Sequence, residues 1–176
     1  MRRQEFDHVV RAAAAAVGLD EFVIIGSQAI HGEISEPPEE LLSSMEVDIY
    51  PLADPDRADY IDGALGDGSW FERTNGYFAH AVGPTTAKAP AGWMDRLVQV
   101  NVEPAIPGRS NPVAFCMERH DMVLAKLVRG EQRDFDYAKV AMKAGLLDRS
   151  ILRSRIPDLP VDAQIRNRVE SLVSAL

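Results

Sequence analysis

The sequence is short of cysteine, of long apolar runs and of positive charge, and each shortage excludes a class of protein. A single cysteine in 176 residues cannot form an internal disulfide and is no basis for a zinc site. No run of about 18 apolar residues is present, so we expect no membrane span. Lys plus Arg number 19 against 27 Asp plus Glu, and the net charge of −8 argues against a broad nucleic-acid coat. We expect a cytoplasmic protein without disulfides, in which a small local phosphate site remains open.

The residue patterns predict an α/β fold in a single domain, residues 1–176. Residues 1–115 are predicted to form a mixed α/β core with a small mixed sheet, and residues 116–176 a helical carboxy-terminal part. Apolar spacing followed by Gly18 predicts a first helix, and a second is expected after Asp54-Pro55. The stretch around Asn75-Gly76 is predicted to be a β-hairpin. The strand pattern "RLVQVNVE" and four helical patterns follow it.

One unusual feature follows the first predicted strand, "EFVII", where the chain continues as Gly26-Ser27. Glycine allows the backbone to approach a ligand closely, and backbone N–H groups at a helix start attract phosphate oxygens. Ser27 would begin a short helix and add a hydroxyl. The alternative is a plain strand-to-helix turn with a serine cap.

A second unusual feature is a pair of acids inside the next predicted strand, "MEVDIYP". On a strand Glu46 and Asp48 point the same way, with Cα atoms about 7 Å apart. Carboxylates about 5 Å apart repel by about 3 kcal/mol at an effective dielectric of 20. A proton, a basic group or a divalent metal would offset this repulsion, and two carboxylates with phosphate oxygens suit Mg²⁺. The alternative is the solvated face of an edge strand.

Together these features resemble the nucleotidyltransferase superfamily, the polymerase-beta-like fold. Residues 89–100 and 120–147 further resemble the small bacterial proteins grouped as DUF6036, which are related to AbiEii-type toxins. In the second stretch, "HDMVLAKLVRGEQRD" is similar to the pattern D-L-x-x-x-K-L-x-x-G-R-x-K-D. The resemblance implies that Gly26 and Ser27 hold NTP phosphates and that Glu46 and Asp48 bind Mg²⁺. It adds three residues on the helix pair as further site positions: Lys126, Arg133 and Asp134.

Three positions depart from the family pattern, and one is the first acid of the pair, which is Glu46 rather than Asp. A third metal carboxylate is expected on a later strand, and "RLVQVNVE" offers Glu103 at its end, or otherwise Asn101. Glu131 stands where the pattern has arginine. If the helix continued through Gly130, the basic residues Lys126, Arg129 and Arg133 would share one face.

The sequence therefore predicts a Mg²⁺-dependent nucleotidyltransferase that moves a nucleotidyl group from an NTP to an RNA or protein hydroxyl. Glu46, Asp48 and Glu103 would be catalytic, and the resemblance implies a toxin–antitoxin or defence role with a partner protein. The alternative is an inactive module of the same fold that binds a nucleotide or a protein. A carboxylate within metal reach of Glu46 and Asp48 would favour the enzyme, and an asparagine or a basic side chain there would favour the module.

Overall fold

The computed structural model describes residues 1–104 and 110–176, which form seven α-helices and one five-stranded sheet. The helices are α1 (Arg3–Val17), α2 (Ala58–Leu65), α3 (Trp70–Asn75), α4 (Arg119–Arg129), α5 (Gln132–Lys143), α6 (Arg149–Arg155) and α7 (Ala163–Ser174). The strands are β1 (Glu21–Ile25), β2 (Glu46–Pro51), β3 (Phe78–Ala81), β4 (Val98–Asn101) and β5 (Val113–Cys116). The predicted α/β class is confirmed.

The sheet is mixed and has the strand order β3-β2-β1-β5-β4. β1 lies at its centre, antiparallel to β2 on one side and parallel to β5 on the other. β3 runs parallel to β2, and β4 runs antiparallel to β5. The central position explains why "FVII" is a continuous apolar run, since a strand covered on both faces has no solvated side.

One cluster of buried apolar side chains extends from the sheet to the carboxy-terminal helices. It includes Phe6 of α1, Ile24 of β1, Leu124 of α4 and Val173 of α7, all 0% exposed. The helices of the last third therefore pack on the same core as the sheet. That the chain is a single domain remains a prediction.

The predicted hairpin around Asn75-Gly76 is wrong. The Ser69 side chain accepts a hydrogen bond from the Glu72 N–H and so caps α3, which ends at Gly76 with φ 77°. An Asn-Gly pair suits a left-handed helix end as well as a hairpin turn, and here the helix end is formed. Residues 70–75 are therefore helical and cannot pair with β3, whose neighbour in the sheet is the parallel strand β2. Strand β5 was not predicted at all.

The structure bears on two shortages noted in the sequence, those of long apolar runs and of cysteine. Across residues 1–104 and 110–176, no helix has both the length and the apolar character needed to cross a bilayer. Cys116 is wholly buried in β5, and burial raises the pKa of its thiol to about 12. A thiol of that kind stays protonated and unreactive near neutral pH.

Candidate functional site

A cleft of about 850 Å³ lies where the ends of β1 and β2 face the helix pair α4 and α5. It brings together every predicted site residue except Glu103. These residues are Gly26, Ser27, Glu46, Asp48, Lys126 and Arg133, with Asp134 beside them. Residues far apart in the chain thus meet because β1 and β2 are paired and α5 folds back over their ends.

Gly26 is required at its position by its backbone conformation and by a neighbouring side chain. It has φ 69° and ψ −167°, a conformation open essentially only to glycine. A Cβ atom there would lie 2.0 Å from Asp48 Oδ2, because Ile25 pairs with Asp48 across the two strands. The glycine therefore allows the turn to pack directly against the Asp48 carboxylate.

Ser27 begins a 3₁₀ helix, Ser27–Gly32, rather than a full α-helix. Its carbonyl oxygen accepts a hydrogen bond of 3.4 Å from the Tyr137 hydroxyl of α5. Burial raises the pKa of that hydroxyl, so it remains a donor at neutral pH. Tyr137, which the sequence did not single out, thus ties α5 to the Gly26-Ser27 turn.

Glu46 and Asp48 lie on the cleft side of β2, while Val47 and Ile49 are wholly buried on the other side. The alternation expected from the sequence is present. Asp48 Oδ1 lies 2.8 Å from His80 Nδ1, so the imidazole donates a hydrogen bond to the carboxylate. His80 is directly opposite Asp48 in the register between β2 and β3. The His80 side chain is half exposed and lines the same cleft.

The expected place of Glu103 as a third metal carboxylate is corrected by the strand order. Three strand spacings, about 14 Å, separate β4 from β2. The register also pairs Asn101 with Val113, at the end of the sheet opposite to the cleft, and Glu103 follows beyond it. The neighbour of Asp48 on the adjacent strand is instead His80. In the sequence, "FAHA" places this histidine between alanines of a strand, but the hairpin interpretation concealed the strand that it pairs with.

The other wall of the cleft carries basic residues from two helices rather than from one helical face. Gly130, at φ 77°, ends α4, so the predicted continuous face is not formed. Lys126 and Arg129 lie in the last turn of α4, and Arg133 lies in the first turn of α5. All three line the cleft because the chain reverses at Gly130.

Asp134 holds this basic wall together from behind. Its carboxylate is 1% exposed and accepts hydrogen bonds of 2.8 and 2.5 Å from Nε and Nη2 of Arg129. Lys126 Nζ lies 3.7 Å from Asp134 Oδ1 and 4.9 Å from the centre of the Tyr137 ring. Such a bidentate arginine–carboxylate pair fixes geometry as well as charge.

The pKa shifts follow from this arrangement. Burial alone would raise the pKa of Asp134, but the hydrogen bond from Arg129 and the charge of Lys126 outweigh it and lower that pKa. Burial lowers the pKa of Lys126, and the charge of Asp134 opposes the shift. The hydrogen bond to Asp134 raises the pKa of Arg129. The wall is therefore cationic but already partly neutralised.

The donor set on β2 suits a hard cation that takes most of its ligands from a bound molecule. Among the described residues, no three His, Cys, Asp or Glu side chains are arranged to hold a metal ion. Glu46 and Asp48 offer carboxylate oxygens at one edge of the cleft, which is the share that Mg²⁺ usually takes from a protein when phosphates and water complete its shell. If Mg²⁺ entered with a polyphosphate, Glu46 and Asp48 would be its protein ligands, and His80 would contact one of the Asp48 oxygens.

Almost the whole chain matches the model of a known protein family. The model of the family DUF6036, described as nucleotidyltransferase of unknown function, matches residues 6–175. Searches of curated proteins and of solved structures find no significant match.

Proposed function

The chain belongs to the DUF6036 family of nucleotidyltransferases of unknown function, and on this premise we propose that its cleft binds a nucleoside triphosphate with Mg²⁺ and transfers the nucleotidyl group to a hydroxyl acceptor. The acceptor hydroxyl would bond to the α-phosphorus, and the bond to the departing pyrophosphate would break. The hydroxyl proton would pass to solvent.

One observation carries this proposal: the cleft sets two carboxylates opposite three cationic side chains, with the Gly26 turn between them. Glu46 and Asp48 would hold the metal, which supplies positive charge to the phosphate oxygens. Gly26 and Ser27 lie where a phosphate chain would approach the backbone closely. The negative charge of a triphosphate matches the cationic wall of the cleft. The volume of the cleft, about 850 Å³, is large enough for a nucleotide.

The basic wall would act on the charge of the phosphates. Lys126, with a side chain 13% exposed, is a nearly buried point charge, and Arg129 is held in a fixed orientation by Asp134. Fixed cations cost little reorganisation when charge develops on a departing pyrophosphate. Arg133 is more exposed and would contact the outer part of the phosphate chain.

The finer parts of the proposal come from the resemblance to relatives. These are an RNA end or a protein side chain as acceptor and a toxin–antitoxin or defence role with a partner protein. They remain predictions, since family likeness is a weaker basis than site chemistry.

A second candidate function is nucleotide binding without transfer. His80 favours it, because a basic side chain stands beside Asp48 where a third carboxylate would complete the metal site. The two candidate functions use the same basic wall and differ only in the chemistry that follows nucleotide binding.

Calorimetry with each of the four NTPs and Mg²⁺ tests the binding step. We expect micromolar binding of at least one NTP, abolished by Asp48→Asn because one of two metal ligands is lost. Asp136→Asn is the matched control, since Asp136 is exposed and outside the cleft lining. If the folded wild-type protein bound none of the four NTPs, the proposal would be overturned.

Labelling separates the two candidates once an NTP is known. The α-labelled NTP is incubated with total RNA or with a protein extract, using the wild-type protein and His80→Asp. Label transferred by the wild type supports the transferase. Label transferred only by His80→Asp supports the binding module, because the substitution restores a third carboxylate.

A further inference from the structure

Glu131 is an exposed carboxylate that already forms an ion pair with Arg133, the most exposed arginine of the basic wall. Its Oε2 lies 2.6 Å from Arg133 Nε, and its Oε1 lies 3.7 Å from Arg129 Nε. Both arginines line the cleft. A phosphate that approached these arginines would therefore have to displace the Glu131 carboxylate, because the carboxylate stands where a phosphate oxygen would bind.

Glu131 differs in this respect from Asp134, three residues further on. Asp134 is 1% exposed and binds the inner cations Arg129 and Lys126 from behind. The Glu131 side chain is 47% exposed, and so is much of its partner Arg133, at 69%. An exposed ion pair contributes little to stability and is readily exchanged for another anion. Glu131 is thus placed as a competitor and Asp134 as an anchor.

The cost of a fixed negative charge to a bound anion grows with the charge of that anion. A metal-free triphosphate carries more negative charge than its Mg²⁺ complex. Glu131 would therefore repel the metal-free form more strongly, while Glu46 and Asp48 attract the complexed form at the other wall.

We propose that Glu131, which pairs with two cleft-lining arginines from beside the cleft, is a specificity-determining residue: it competes as an internal carboxylate for Arg133 and Arg129 and so favours a metal-complexed polyphosphate over a metal-free one. The inference rests on the proposed function, since it assumes that the basic wall receives phosphate. The ligand class is the polyphosphate chain itself, whichever base is attached.

Inorganic tripolyphosphate tests the inference without knowledge of the base. Its dissociation constant is measured by calorimetry at low salt, once with EDTA and once with excess Mg²⁺, for the wild type and for Glu131→Gln. With EDTA we expect the variant to bind about threefold to fivefold more tightly, the size of an exposed ion pair. With Mg²⁺ the gain should be smaller, and in EDTA it should fade at about 1 M salt.

Asp134→Asn is the matched control, because it removes one negative charge from the same helix turn. If net charge alone governed binding, both variants would bind tripolyphosphate more tightly. We expect Asp134→Asn to bind more weakly, because Arg129 and Lys126 lose the carboxylate that orients them. At the start of α5 the Glu131 N–H donates to Asp134 Oδ2, and the two residues form a capping box. Glu131→Gln keeps this bond and keeps a side-chain oxygen that can accept from the Asp134 N–H. Far-UV circular dichroism checks that both variants are folded.

The outcomes are distinct. Equal affinity of wild type and Glu131→Gln in EDTA, or an equal gain with and without Mg²⁺, would overturn this inference and leave the proposed function standing. If neither the wild type nor any variant bound tripolyphosphate in either buffer, the basic wall would not be a phosphate-binding site. The proposed function would then fail together with the inference.

Discussion

At the scale of single residues, Gly26 leaves no room for a side chain. Both its positive φ and its closeness to Asp48 exclude a side chain. We predict that Gly26→Ala lowers the free energy of unfolding by at least about 2 kcal/mol, through backbone strain and the clash with the carboxylate. Urea denaturation measures the loss, and calorimetry should show nucleotide binding lost with it.

Two comparisons separate the causes. Gly18→Ala places alanine at φ 67° and ψ 29° with no atom beyond its chain neighbours within 4 Å, so it gives a lower bound on the backbone strain at Gly26, about 1–2 kcal/mol. In an Asp48→Ala background the clash is gone, and Gly26→Ala should then cost clearly less. An unchanged cost in that background would show that Asp48 plays no part.

At the scale of elements, the start of α4 is held by a partly buried group of charged side chains. Glu118 caps the helix by accepting from the backbone N–H groups of His120 and Asp121. Its side chain also pairs with Arg155 of α6 and lies 2.5 Å from His120 Nδ1. Asp121, 0% exposed, binds both Arg155 and Arg96. These contacts join α4, α6 and the loop before β4, and so fix the helix that presents Lys126.

This group makes stability depend on pH in the acid range. Burial alone would raise the pKa of Glu118, but hydrogen bonds from His120 and Arg155 outweigh it and lower the pKa to about 2, from 4.5. The unfolded chain therefore binds the proton more tightly, so the stabilisation is complete above pH 4.5 and is lost as the pH falls towards 2. We predict about 3 kcal/mol for this effect, from about 1.4 kcal/mol per unit.

Urea denaturation between pH 6 and pH 2.5 checks it. The difference in unfolding free energy between wild type and Glu118→Gln should be largest at pH 6 and should shrink as the pH falls. A difference independent of pH would mean that the Glu118 charge contributes nothing. Glu36→Gln, an exposed control, should show no such trend.

At the scale of the whole molecule, the shared core predicts one cooperative unfolding transition. The sheet and the carboxy-terminal helices bury side chains in one cluster, so neither should persist without the other. Trp70 is 79% exposed, whereas Trp93 packs against the core. In Trp70→Phe, Trp93 fluorescence and far-UV circular dichroism should therefore follow the same urea curve. Helical signal surviving beyond the fluorescence transition would show a separate helical domain.

The sequence predicted local features of this molecule well and long-range ones poorly. The buried run of β1 and the alternation of β2 identified both strands and the acids on them, since these patterns depend only on neighbouring residues. Asn75-Gly76 suits two kinds of turn, so the choice between them required the parallel strand β3. Glu103 was misplaced because strand order follows from tertiary packing. The break at Gly130 was visible only as a glycine in a helical pattern.

The strand order also bears on how the protein is synthesised. β1 is complete when Ile25 has been added, but its parallel neighbour β5 begins at Val113. At about 5–20 residues per second, one edge of the central strand waits roughly 4 to 17 s for its partner. During that interval an apolar strand has an unpaired edge, which invites association with other nascent chains. Slowed translation of residues 26–112 should therefore lower the yield of folded protein more than an equal delay after Cys116.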